Sequence, residues 1–163
     1  LDSTFFDRGH ASAHYLTRSD RSVETLKVTT LTDTESLAAL DVQCHAQWRH
    51  DTKAGPQVVR VPADDLNTVA ADNGFQDWHS EYECYSLGIE PSIHYRGSSG
   101  NAVSNNALIR EHDYTQRWMA ETSYLSVKRS LGDAVRAQAW YREFREIVLI
   151  FAINNIEQLC DPL

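Results

Sequence analysis

Apolar and polar positions change period several times along this chain of 163 residues, and each change predicts an element. LDSTFF ends in two aromatics after hydroxyl residues and reads as the end of a strand. DRGHASAHYLTRSDRS is polar, contains Gly9 and small residues, and reads as a loop. Residues 23–32 are β-branched and Thr-rich, a strand. Asp33 to Ser36 make a turn. In residues 37–45, Leu40, Val42 and Cys44 alternate with Asp41, Gln43 and His45, the period of two of a half-buried strand. The first forty-five residues thus predict a three-stranded antiparallel meander.

The pattern then loosens. Residues 46–56 read as a polar connection and 57–65 as a short helix. LNTVAADNGF is an apolar run to Ala71, then Asp72-Asn73-Gly74, which places Asp72 at the C-terminal tip of a buried strand. Ligands in open α/β sheets commonly sit beyond such tips. Residues 76–87 predict a helix with Trp78, Tyr82 and Tyr85 on related faces, ended by Gly88. Residues 91–96 predict a short strand, and the Gly-, Ser- and Asn-rich 97–106 a flexible loop. Residues 113–132 predict one helix, with Asp113 as N-cap, Gln116 as a capping-box partner, and Gly132 as its terminator. Trp118 and Met119 are expected in the core. A last helix over 134–159, capped by Asp133, repeats Trp140, Phe144, Ile147, Val148, Phe151 and Ile156 at helical spacing as core. Strands first, then strands alternating with helices, predict a single α/β domain over 1–163, a mixed sheet with helices on its faces.

Composition narrows the function classes. Hydrophobic residues are 42% and charged residues 23%, ordinary for a globular chain. The net charge of −8 argues against nucleic acid when taken as a mean, but a site depends on its neighbourhood. The twelve Arg against three Lys, with thirteen Asp and ten Glu, match the acidic, lysine-poor surfaces of salt-adapted proteins, although many cytosolic proteins share such a balance. Cys44, Cys84 and Cys160 are odd in number and lack a CxxC pair, so neither a disulfide framework nor a zinc site is indicated. The start shows no signal-peptide pattern, and the run 147–153 is too short to span a bilayer. A cytoplasmic setting is expected.

The chemistry concentrates on the helix at 113–132. Tyr114, Arg117, Glu121 and Lys128 fall within about 60° of one another at 100° per residue. A stripe of one carboxylate, two cations and a phenol suits phosphates; a solvated face with spaced charges gives the same pattern. Asp2 on the first strand and Asp72 at a later strand's tip are two further acids that a face helix can bring together with Glu121. Three carboxylates repel one another unless they share cations, and hard oxygen ligands suit Mg²⁺ or Mn²⁺.

The spacing Tyr114-x₂-Arg117-x₃-Glu121-x₆-Lys128 resembles the Tyr-Arg-Glu-Lys signature of insertion-sequence transposases of the DDE class. Asp2-Ser3-Thr4 resembles that family's first catalytic Asp in its DxT setting, and Ala71-Asp72-Asn73-Gly74-Phe75 its second, with the following Gly and aromatic. Stretches such as HDTKAGPQVVR, ADNGFQDW and WYREFREIVLIFAINNIEQLC resemble transposases of salt-loving archaea, so the likeness covers essentially the whole chain. It implies a ribonuclease-H-like fold. It also implies Asp2, Asp72 and Glu121 as metal-binding catalytic acids with two Mg²⁺ or Mn²⁺ ions, and Tyr114, Arg117 and Lys128 as DNA contacts. The implied activity is cleavage and strand transfer of a mobile element, by a homodimer on double-stranded DNA, in the cytoplasm and associated with the nucleoid.

Such transposases carry a DNA-binding segment ahead of the catalytic domain, and this sequence begins one residue before Asp2. The expectation is therefore a catalytic domain shortened within its first strand. A non-enzymatic remnant that binds DNA ends or intact transposase is the alternative. Other candidates are thinner. His10 and His14 have helical metal-pair spacing without an HExxH. His45, Arg49, His50 and Lys53 form a local basic cluster that suits a DNA backbone or an exposed connection equally. The Trp residues at 48, 78, 118 and 140 read as core or interface.

Overall fold

The computed structural model describes residues 1–8, 25–45, 49–109 and 114–160. The readings that fall on Gly9, His10, His14, Trp48 and the Asp113 cap lie outside these residues. Three strands, β1 (Asp2–Asp7), β2 (Thr25–Thr32) and β3 (Ala39–His45), form the antiparallel meander in sequence order. Two further strands, β4 (Thr68–Ala71) and β5 (Glu90–Ile93), pair in parallel. The helices are α1 (Asp51–Arg60), α2 (Trp78–Ser86), α3 (Gly100–Leu108), α4 (Trp118–Leu131) and α5 (Trp140–Cys160), with 3₁₀ turns at Ala63–Asp65 and Asn73–Phe75. The fold is mixed α/β.

β1 ties the two sheets together. One edge pairs with β2, from Asp2 opposite Thr30 to Asp7 opposite Thr25. At its start the Leu1 nitrogen donates to Ala70 O of β4 at 2.8 Å. At its end Asp7 N–H donates to Asp133 O (2.9 Å), and Asp7 O accepts from Val135 N (2.8 Å). The two cores follow from the alternation of β1. Leu1 joins Val58, Val59, Ala71, Phe75 and Ile93 on the face under α1 and α2. Phe6 joins Leu26, Val28, Tyr124, Ile147 and Phe151 on the face under α4 and α5.

Several predicted elements are corrected. Residues 51–56 are helical: α1 starts at Asp51, capped by His50, whose Nδ1 accepts from Thr52 N. Pro56 inside α1 lacks the N–H that Thr52 O would accept, and Ser80 Oγ of α2 donates to that carbonyl instead at 3.2 Å. The expected loop at 97–106 holds α3, because Ser99 caps it by accepting from Ala102 N, and Asn105 and Asn106 bond back to Ile93 and Tyr95. Residues 133–139 are not helical; Asp133 lends its carbonyl to Asp7, and α5 begins only at Trp140. Within β3 the alternation shifts: Leu31 faces Asp41 but Thr32 faces Ala39, so Leu40 bulges outward and is exposed, while Ala39 joins Val42 and Cys44 against the core.

The largest departure in packing is α5. Its buried positions are Glu143, Ile147, Ile150, Phe151 and Asn154. Trp140 is 70% exposed and Ile156 60%, so neither is core, and Phe144 and Val148 lie at its margin. Helical spacing alone does not say which of several apolar stripes meets the sheet. On the opposite side of the sheet, Gly55 lets α1 close on the Asp72 turn, since a Cβ there would stand 3.0 Å from Phe75 Cδ1. Gly55→Ala is expected to destabilise by about 1–2 kcal/mol despite its better helix propensity, because the Phe75 ring is packed and cannot yield. Chemical denaturation with a shifted midpoint and unchanged slope is the check.

Candidate active site

The first acid is placed by β1 and clamped by α4. Tyr124 donates its hydroxyl to Asp2 O at 2.6 Å and accepts from Thr30 Oγ1 at 2.8 Å. This buried phenol fixes the α4 register against the start of β1, and burial keeps it protonated by pushing its pKa far up. Asp2 itself is largely buried. Burial raises its pKa, against the Ser3 N–H and the Arg117 charge, and the like charge of Glu121 adds to the rise. Asp2 and Glu121 therefore lie in one electrostatic neighbourhood.

The second acid follows from register. Leu1 meets β4 through this single hydrogen bond to Ala70, and Leu1 and Ala71 enter the same core. In the β4–β5 ladder Ala71 faces Ile93, again in that core. The next residues along the three segments are Asp2, Asp72 and His94. By alternation they point away from that core, where His94 meets Tyr114. Asp72 is still extended (φ −68°, ψ 160°) and caps the 3₁₀ turn by accepting from Asn73 N at 2.7 Å.

The third acid, Glu121, lies on the first turn of α4 and is 54% exposed, with Oε1 3.1 Å from Arg117 Nη1. From Tyr114 to Leu131 the helix is not one continuous rod. Tyr114 and Thr115 start a turn that tightens through Arg117 N to Tyr114 O (3.0 Å), Met119 N to Gln116 O (2.9 Å) and Ala120 N to Arg117 O (3.2 Å), and α4 runs from Trp118. Gly132, at φ 96°, ends it as predicted. Trp118 is 54% exposed, so the expectation that it enters the core is wrong: Ala120, Ser123, Tyr124 and Val127 form the buried stripe instead.

The remaining stripe residues separate. Lys128 Nζ donates to Thr4 Oγ1 and Phe5 O, both at 2.9 Å, and lies 5.3 Å from the Phe6 ring centroid. That is a brace between α4 and β1 which leaves one of three ammonium protons for another acceptor. Tyr114 stacks face to face on His94, with centroids 3.8 Å apart and planes 6° apart. Arg117 holds Glu121. His94 has no motif in the sequence; its place beside Asp72 needs the β4–β5 register, which no local signal supplies.

Among the described residues, no three of His, Cys, Asp and Glu stand together as a ready metal-binding group. Of the predicted acids, Glu121 is paired with Arg117 and Asp72 accepts from Asn73 N–H. Carboxylate oxygens are nonetheless the donors that suit a hard divalent cation, and Asp2 is partly desolvated with Glu121 as a like charge nearby. The cysteines are a different matter. Burial pushes the Cys84 thiol up to about 11, and among the described residues all three cysteines are free thiols. Of the basic cluster, His45 is drawn below its ordinary pKa by burial and by Arg49 and Lys27, while Lys27 is bound to Asp51 at 2.8 Å. No described helix is long and apolar enough to cross a membrane.

Comparison with known proteins bears on this arrangement of acids. None of the curated proteins matches the chain. The family model described as transposase DDE domain matches residues 1–156. With the match spanning nearly the full length, the chain belongs to the transposase DDE domain family.

Proposed function

We propose that this chain is the catalytic domain of a DNA transposase with a ribonuclease-H-like fold, cutting and joining the ends of a mobile element. The observation that carries the reading is that Asp2 on β1 and Glu121 on α4 share one electrostatic neighbourhood, with Asp72 at the tip of β4, the strand that Leu1 meets at Ala70. Asp2, Asp72 and Glu121 would hold Mg²⁺ or Mn²⁺, two ions in the full site. A divalent cation bound there supplies charge neutralisation for the scissile phosphate and acidity for the attacking oxygen.

The chain's own residues position and orient. Tyr124 fixes Asp2 by its main chain, so that its carboxylate is presented with little freedom. Arg117 orients Glu121 and offers the rest of its planar fork to a phosphate. Tyr114, backed by His94, presents an aromatic surface to the cleaved strand. Lys128 spends two donors on β1 and keeps the third for the backbone of the element end. In the first step an activated water attacks phosphorus and the 3′-oxygen leaves, exposing a 3′-hydroxyl. In the second that hydroxyl attacks target DNA in line, forming one phosphodiester as another breaks. Double-stranded DNA is thus both substrate and partner. The chain would act as a homodimer on the cytoplasmic nucleoid, and the acidic, lysine-poor surface suits a salt-rich interior.

The pairing of Glu121 with Arg117 favours a second reading, a non-catalytic protein that binds DNA ends or intact transposase. Incubation with terminal-repeat DNA and Mg²⁺ or Mn²⁺ at high salt separates the two. Metal-dependent nicking that vanishes in Glu121→Gln is the expected result. Equal binding without cleavage in both proteins would overturn the enzymatic reading.

A further inference from the structure

The residues that follow β5 are held as firmly as a strand, although no strand pairs with them in the described structure. Tyr95 N–H donates to Asn106 Oδ1 (2.8 Å) and Tyr95 O accepts from Asn106 Nδ2 (3.2 Å), so one amide side chain imitates a strand partner. The Tyr95 hydroxyl bonds Glu81 of α2, and Arg96 N–H donates to Gln76 Oε1 at 3.0 Å. This scaffold sets two side chains against the candidate site. His94 carries the Tyr114 ring. Arg96 sends Nη2 to Asn73 Oδ1 at 2.7 Å, and Asn73 is the residue whose N–H caps the Asp72 carboxylate.

From this geometry we infer that Arg96 is a phosphate-binding residue of the DNA path, seated on Asn73 beside Asp72. The inference rests on the proposed DNA-handling function. Its own support is chemical. The guanidinium is solvent-exposed, and it is anchored to a neutral amide oxygen rather than to a carboxylate, so its charge is not cancelled by its anchor. One N–H of five makes that bond, which anchors one end of the fork and leaves donors of the kind that pair with two phosphate oxygens. In a chain of net charge −8, a positioned and uncancelled cation beside a catalytic acid is what a polyanion needs in order to approach.

The test is the salt dependence of binding to a short DNA duplex by wild type, Arg96→Ala and Arg96→Lys, read by fluorescence anisotropy, with thermal melting to verify that each variant is folded. Arg96→Ala is expected to weaken binding on every duplex sequence alike. It should also flatten the plot of log affinity against log salt by about 0.9, the loss of one phosphate contact. Arg96→Lys should restore the slope, since it restores the charge. An unchanged slope in folded Arg96→Ala, with normal wild-type binding, overturns this inference alone. A wild-type chain that binds no DNA overturns the underlying function and this inference with it.

Discussion

Glu143→Ala should destabilise the protein by about 3–5 kcal/mol. Glu143 is fully buried within α5, and its carboxylate receives both edges of the Arg8 guanidinium: Nε to Oε1 at 3.2 Å and Nη2 to Oε2 at 2.8 Å. The Arg8 side chain is only 10% exposed. Arg8 follows Asp7, whose main chain is bonded to Asp133 and Val135, so neither partner can follow the other into water without opening the end of β1. Removing the carboxylate takes both of these charge-assisted bonds from a nearly buried guanidinium. A double-mutant cycle separates this penalty from the worth of the pair. Arg8→Met with Glu143→Leu should cost less than Glu143→Ala alone, because it removes both charges and keeps apolar volume. A loss under about 1 kcal/mol for Glu143→Ala in equilibrium denaturation would mean that the pair is not desolvated as described.

Asp2→Asn should separate stability from activity. Burial, with a smaller contribution from Glu121, raises the Asp2 pKa in the folded protein. The folded state then holds this proton more tightly than the unfolded chain. The penalty is absent below the ordinary carboxylate pKa, grows as pH rises through it, and levels off above the raised folded value. At neutral pH Asp2→Asn is therefore expected to be more stable than wild type, and the two curves should meet below about pH 4. Metal-dependent nicking by the same variant should fall by about a thousandfold or more, near 4 kcal/mol of lost transition-state stabilisation. Denaturation midpoints against pH and a nicking time course read the two halves independently. A variant less stable than wild type at neutral pH, or one that still nicks, contradicts the assignment.

The other acids differ in how readily the sequence reveals them. Asp72 was legible as a strand tip because an apolar run stops at it and Asn-Gly follows. Glu121 was legible from its spacing within a helix whose end Gly132 marks, although the helix begins later, at Trp118, since the turn at Tyr114–Arg117 tightens to three-residue bonds. Helical period misjudged α5, where apolar residues surround the axis and only contact with β2 and β3 selects the buried stripe. It misjudged α3 too, because Gly, Ser and Asn read as loop until Asn105 and Asn106 find backbone partners on β5.

Local pattern alone therefore determined the meander, the strand tip at Asp72, the existence of the α4 and α5 helices and the acids they carry. These are signals of period, turn chemistry and spacing, encoded over a few consecutive residues. Only the tertiary structure decided that Asp2 and Glu121 fall in one electrostatic neighbourhood, that His94 stacks on Tyr114, that Tyr124 locks α4 to the start of β1, and that Arg117 holds Glu121. Those relations depend on strand register and helix docking between residues up to 122 positions apart in the chain, and no local propensity reports which distant partner a side chain will meet.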